Sequence, residues 1–342
     1  MTGILLLQLG TPDAPTAAGL RPYLKQFLAD PRVIETKPAV AMYQTPGLTR
    51  VARSAPSRWL WKLILNGIIV PFRSPKSAAK YQRIWSDATG SPLMHYTKRQ
   101  ADLLQQRFPN ALVRFGMTYG NPSVESVVNE MVAAGVDRFV AVPMYPQYSA
   151  TTTAASTDTF YKALMKLRVV PAVRTVPPHY LHPAYLDAMQ ATVTDDLAKL
   201  GWQPDHYLFS FHGIPRKYVQ RGDPYATHCV RTTHALVKRF GFRKDQWSRS
   251  FQSRLGREPW LTPYTDDAVK GLAKRGVKKL AVILPGFTAD CLETVDEIGN
   301  EAGEEFHDAG GEKLRSVPCL NDHPKWIDAL ETMVREEGAG WV

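Results

Sequence analysis

The 342 residues are 44% hydrophobic and 22% charged, a balance that excludes large-scale disorder and suffices for one or two packed cores. A net charge of +10 is compatible with an anionic membrane face, an acidic small molecule or nucleic acid, but Lys and Arg are not gathered into one tract. Three cysteines, Cys229, Cys291 and Cys319, without CxxC spacing exclude a disulfide framework, lend no support to a zinc ribbon or iron–sulfur cluster, and read as reduced thiols of a cytoplasmic protein.

The first apolar run, residues 4–9, has no basic segment before it and stops at Gly10-Thr11-Pro12-Asp13. That is too short for a signal peptide and reads as a buried strand. Residues 58–72 break the pattern that follows: they are apolar but include Lys62 and Asn66, and fall short of the about 20 residues a spanning helix needs. They read either as a buried helix or as an apolar flap that touches a membrane surface. Further strands are expected at 112–117, 139–143, 169–176, 207–211, 249–253, 280–284 and 313–317, with helical periodicity at 122–134, 183–200, 227–240, 266–274 and 289–305. Strands alternating with helices predict parallel sheets, and continuous apolar strands predict sheets covered on both faces. The pattern runs twice, since Phe139-Val-Ala-Val-Pro-Met-Tyr-Pro146 and Leu280-Ala-Val-Ile-Leu-Pro-Gly-Phe287 each end a strand in proline and an aromatic. Two similar domains follow, 1–175 and 176–342, divided where Pro177-Pro178 interrupts the chain. Ligands of such sheets bind beyond the carboxyl ends of the strands.

His212 stands there, in Tyr207-Leu-Phe-Ser-Phe-His-Gly-Ile-Pro215. A neutral imidazole presented by a strand end can take a proton or bind a metal, although a hydrogen-bonded histidine plugging the strand is the plainer reading. The second feature is an acidic segment after residue 284. Asp290, Glu293, Glu297, Glu301 and Glu304 recur at steps of three or four, along one helical face. Like charges so spaced oppose the helix unless a counter-charge lies nearby. The segment is therefore either a solvated acidic face or a carboxylate path for protons or a divalent cation, and a histidine with a carboxylate suits a transient Fe²⁺ site. There is no GxGxxG, no Walker sequence and no GxSxG elbow.

Six segments together resemble the ferrochelatase family, in its order and spacing. They are Leu9-Gly-Thr-Pro12, Tyr119-Gly-Asn-Pro122, Tyr145-Pro-Gln-Tyr-Ser-Ala-Thr-Thr-Thr153, Ser210-Phe-His-Gly-Ile-Pro215 with Gly222-Asp-Pro-Tyr225, Ser253-Arg-Leu-Gly-Arg-Glu-Pro-Trp260, and Phe287-Thr-Ala-Asp-Cys-Leu-Glu293. The resemblance implies an α/β fold of two similar Rossmann-like, chelatase-type domains, each a four-stranded parallel sheet flanked by helices. A hydrophobic lip would cover residues 43–72, and a last helix near 323–337 would brace the first domain. It implies insertion of Fe²⁺ into protoporphyrin IX with release of two protons; coproporphyrin, or a non-catalytic carrier of porphyrin or haem, are the alternatives. His212 and Glu293 would be catalytic and would contact the metal. Leu9, Tyr119, Tyr145, Trp260 and Phe287 would line the porphyrin site, and Asp290, Glu297 and Glu301 the metal or proton path. Thr118 stands where many relatives carry arginine, and Cys291 where animal members carry histidine. Iron is expected as substrate, with no tightly bound cofactor and no iron–sulfur cluster. Peripheral contact with an anionic membrane, a monomeric state and no nucleic-acid partner complete the expectation.

Overall fold

The computed structural model describes residues 1–36, 57–254, 256 and 258–342. Residues 43–56 of the expected lip, and Leu255 and Arg257 within the Ser253 to Trp260 segment, lie outside the described residues. The first half contains β1 (Thr2–Gln8), α1 (Ala17–Ala29), α2 (Arg58–Ile64), a π-helical stretch (Leu65–Ile69) that runs on into α3 (Val70–Ile84), α4 (Pro92–Arg107), β2 (Leu112–Met117), α5 (Val124–Ala133), β3 (Arg138–Pro143), a second π-helical stretch (Ala150–Ala154), α6 (Ala155–Leu164) and β4 (Ala172–Thr175). The second half follows with α7 (Pro183–Leu197), β5 (His206–His212), α8 (Arg216–Gln220), α9 (Tyr225–Phe240), β6 (Trp247–Gln252), α10 (Thr265–Lys274), β7 (Lys279–Ile283), a long π-helix (Glu293–Ala302), α11 (Gly303–Asp308), β8 (Lys313–Ser316) and α12 (Pro324–Glu337).

The strands form two parallel sheets of four, ordered β2-β1-β3-β4 and β6-β5-β7-β8. The order is the same in both. The two repeated segments of the sequence are thus β3 and β7, at equivalent places. Alternate side chains of each central strand enter different cores, which is why the strands read as continuous apolar runs. Ile4, Leu6, Val140 and Val142 face one core together with Phe209, Phe211, Ala281 and Ile283 of the second sheet. Leu5, Leu7, Phe139 and Ala141 pack under α5 and α6, and Leu208, Leu280 and Val282 pack with residues of α10, the long π-helix and α11. The shared core is filled by Tyr185 of α7 and Trp326 of α12. A fourth cluster, from α1, the lip and α3, sits beside the carboxyl ends of the first sheet.

Two expected boundaries differ. The strand expected from residue 169 begins at Ala172, because Val169 and Val170 are exposed and Pro171 precedes the ladder. The helix expected from residue 289 begins at Glu293 as a π-helix, in which each N–H reaches back five residues rather than four. No helix among the described residues is long and apolar enough to cross a membrane.

Candidate active site

Residues at or beyond the carboxyl ends of both sheets are brought together, with Leu9 and Leu292 in one cluster and Gln252 bonded to Glu293. In the first sheet, the loops after β1 and β2 cross in contact. Thr118 N–H donates to Gln8 O (2.8 Å) and Tyr119 N–H to Leu9 O (2.9 Å). Gly10 lies there at φ 111°, and a β-carbon on it would fall 1.7 Å from Tyr119 O, so only glycine fits. Leu9 packs in the cluster that also holds Tyr23, Tyr81 and Leu292, the residue before Glu293. Tyr119 is buried (3% exposed), lies edge-on to Phe27, and gives its hydroxyl to Asp30 (2.8 Å). Its polar end is turned to the C-terminal end of α1. Tyr145 follows β3, its hydroxyl pushed up by burial with the Thr118 hydroxyl nearby.

In the second sheet, His212 is the last residue of β5. Its Nδ1 lies 2.6 Å from Gly213 O. A carbonyl only accepts, so Nδ1 carries a proton, and Nε2 is the nitrogen left to offer a lone pair. Trp260 lies at a ring separation of 6.4 Å, held by an isolated bridge to Pro215 in the loop after His212 (Leu261 N–H to Ile214 O, 3.0 Å). From β6, Gln252 Nε2 donates to Glu293 O (2.7 Å), and Ser253 N–H donates to Glu297 Oε1 (2.6 Å). Ser253 adopts φ 67°, unusual for a side chain-bearing residue, and its hydroxyl also donates to Glu297.

Three acids therefore occupy distinct electrostatic surroundings. Glu293 lies within Coulombic reach of Tyr23 and Tyr81, whose hydroxyls are pushed far up, by burial first and with the glutamate adding to it. Burial pushes Glu297 up and the charge of Glu293 adds to that, while the Ser253 hydrogen bond and His212 pull it down. Glu301 is lowered, because Lys80 and Arg83 of α3 outweigh its burial. Lys80 Nζ lies 2.6 Å and Arg83 Nη2 3.0 Å from Glu301 Oε1, and Arg83 also reaches the buried Asp296 at 2.7 Å. These are the counter-charges that the row of acids demanded.

Asp290 stands before the π-helix that begins at Glu293, and its carboxylate accepts from Thr294 Oγ1 (2.9 Å), Asn321 Nδ2 (2.7 Å) and Cys319 N–H (3.3 Å). Phe287 is half-buried between the core of the second sheet and the small cluster of Leu93, Tyr96 and Cys291. Tyr23 and Tyr81, on α1 and α3, were not found from sequence, since an aromatic on an amphipathic helix looks like core. Among the described residues no three His, Cys, Asp or Glu side chains are grouped to hold a metal ion. Two cavities, about 540 Å³ beside Gly303 and His307 and about 310 Å³ beside His179 and Glu336, are lined by none of these residues.

The fold defines the class first. SirB from Bacillus subtilis, solved with Fe³⁺, superposes with a TM-score of 0.52 at 14% identity, covering 73% of this chain and 93% of that one, so the chain has a chelatase fold. The family model for ferrochelatase matches residues 1–56 and 48–338. The ferrochelatases of Brucella ovis and Brucella abortus are each 46% identical over 99% of this chain and 92% of theirs. The chain belongs to the ferrochelatase family and is an enzyme of it, a porphyrin metal chelatase.

Proposed function

We propose that the substrates are Fe²⁺ and protoporphyrin IX, and that protohaem is formed as two pyrrole protons leave. The observation that carries the proton chemistry is the short Nδ1 bond of His212, whose Nε2 is left to take a pyrrole proton because Gly213 O holds a proton on Nδ1. Glu293 contacts the incoming metal and the macrocycle. Glu297, held up by burial, accepts a proton more readily than an exposed carboxylate does, and Glu301, held ionised by Lys80 and Arg83, marks the outer end of the path. One imidazole and one carboxylate form an incomplete donor set, suited to a cation that is passed on rather than kept. Leu9, Tyr145, Trp260 and Phe287, with Tyr119 behind, are the apolar walls for the ring. Arg73, half-buried and lowered by burial, has no carboxylate partner among the described residues, and we assign it to a propionate. The preference for protoporphyrin rests on the Ala289-Asp-Cys-Leu-Glu293 form of the acidic segment.

Membrane contact is part of the same proposal. Trp59, Leu63, Ile68 and Phe72 of the lip are all more than half exposed and lie among Arg58 and Lys62, a composition suited to an anionic bilayer surface. The reaction is tested by anaerobic incubation with Fe²⁺ and protoporphyrin, watching the free-base spectrum convert to that of a metalloporphyrin, with coproporphyrin in parallel. His212→Ala should lower turnover by about 10²–10⁴-fold with the fold intact, the range for loss of a general base. Binding without turnover by the wild-type chain would make it a carrier, and near-normal turnover by the variant would remove His212 from its role.

A further inference from the structure

Glu293, the first residue of the long π-helix, is also held through its neighbours. On one side its carbonyl accepts from Gln252. On the other, Thr294 Oγ1 donates to Asp290 Oδ1 and accepts from Cys291 N–H (3.0 Å), which closes the first turn. Asp290 is itself held by Asn321 through a reciprocal pair: Asp290 N–H donates to Asn321 Oδ1 (2.8 Å) and Asn321 Nδ2 donates to Asp290 Oδ2 (2.7 Å). Asn321 is 8% exposed and adopts φ 48°, a conformation that asparagine and aspartate tolerate better than other side chains do. Its backbone is tied down as well. Its N–H donates to Thr288 O (3.1 Å), and Gln100 of α4 donates through Nε2 to both Thr288 O (2.8 Å) and Asn321 O (2.7 Å). The start of the π-helix is thus bolted to the β8–α12 loop and to a helix of the first half of the chain.

We propose that Asp290 and Asn321 form a lock that orients Glu293, with Asp290 a positioning residue and not a member of the proton or metal path. The inference rests on the reading of Glu293 as a catalytic group. A path residue must exchange its proton or ligand during turnover, whereas three of the hydrogen-bonding positions of Asp290 are committed to structural donors.

Hydrogen-bond polarity supplies a test that separates the two roles. In Asp290→Asn, a second amide meets the Asn321 amide or the Cys319 N–H, donor against donor. In Asn321→Asp, two carboxylates meet. The double swap, Asp290→Asn with Asn321→Asp, restores every bond: the amide nitrogen introduced at position 290 would donate to the carboxylate introduced at position 321, and the amide oxygen beside it would accept from Thr294 and Cys319. No carboxylate then remains at position 290. Each single variant is expected to lose about tenfold in kcat or more with porphyrin KM little changed, and the swap to return within about threefold of wild type. Amide hydrogen exchange across residues 291–297 reads the lock without reference to activity; it should accelerate in each single variant and recover in the swap. A swap that recovers protection but remains as slow as Asp290→Asn would show that the carboxylate acts directly and overturn the proposal. Single variants that match wild type in both measurements, or a swap that restores neither, would overturn it too. Should the wild-type chain itself not metallate porphyrin, the functional reading falls, and exchange alone upholds or overturns the lock.

Discussion

At Gly10 two demands coincide, a backbone at φ 111° and the carbonyl of Tyr119 pressed against the place a side chain would occupy. Gly135 separates them, because it also has positive φ (94°) but meets nothing within 4 Å of an added β-carbon. Gly135→Ala should therefore cost about 1 kcal/mol, the strain of the left-handed backbone alone. Gly10→Ala should cost about 3 kcal/mol or more, because backbone cannot yield as a side-chain tip does and the loops carrying Leu9 and Tyr119 must part. Urea unfolding of the two variants measures both. Equal losses would mean that the crossing of these loops is not rigid. The same economy of contact is seen at His212, where one short bond to the next carbonyl holds a proton on Nδ1, and at Ser253, where a strained backbone turns N–H and O–H onto one glutamate.

Among the elements, the π-helix Glu293–Ala302 and the helical run from the lip through α3 are joined by the ion pairs of Glu301 and Asp296 with Lys80 and Arg83. The lip therefore continues into a helix braced against the acidic one. Its free side is apolar, with Trp59 70% and Phe72 71% exposed. Trp59→Glu with Phe72→Glu should lower co-sedimentation with anionic vesicles by about tenfold or more, since each change removes a large apolar group and adds a charge of the repelled sign. Vesicles of neutral lipid should bind the wild type weakly. Unchanged binding of the double variant to anionic vesicles would move the contact elsewhere. Strands were the legible part of this architecture: all eight expected segments overlap observed strands, because burial on both faces leaves unbroken apolar runs such as Ile4 to Leu7. The strand-end position of His212 was legible for the same reason. A spacing of three or four residues, by contrast, cannot tell an α-helix from a π-helix, nor say that Asp290 bonds to Asn321. Tyr23, Tyr81 and the counter-charges of α3 were hidden because their partners are far away in sequence. Only the tertiary fold shows what an amphipathic helix faces.

For the whole molecule, the decisive feature is that the two sheets share a core in addition to the one each has of its own. Phe209 and Phe211 of one sheet and Val140 and Val142 of the other belong to one cluster, with Tyr185 and Trp326 between them. α12 packs on α7, α4 and β3, so this helix ties the two halves together through the shared core. His179, in the segment joining the halves, is 4% exposed and lies between the rings of Tyr185 (5.8 Å) and Trp326 (6.0 Å). Burial, and secondarily His182, lower its pKa from 6.5 to about 3. Between these values the unfolded chain binds a proton that the native one refuses. The stability His179 contributes is thus present above pH 6.5 and is lost as pH falls, at a slope approaching 1.4 kcal/mol per pH unit, about one proton's worth. His206 and His228, also lowered by burial, act in the same sense, so the quantity to measure is the difference between proteins. His179→Phe retains a ring between the same neighbours and cannot titrate. Its urea-unfolding free energy should decline less steeply with acidity than that of wild type, and the two curves should converge or cross as pH falls below 6.5. Parallel curves across that window would mean that His179 takes up its proton in the folded protein, and that the junction between the sheets is open to water.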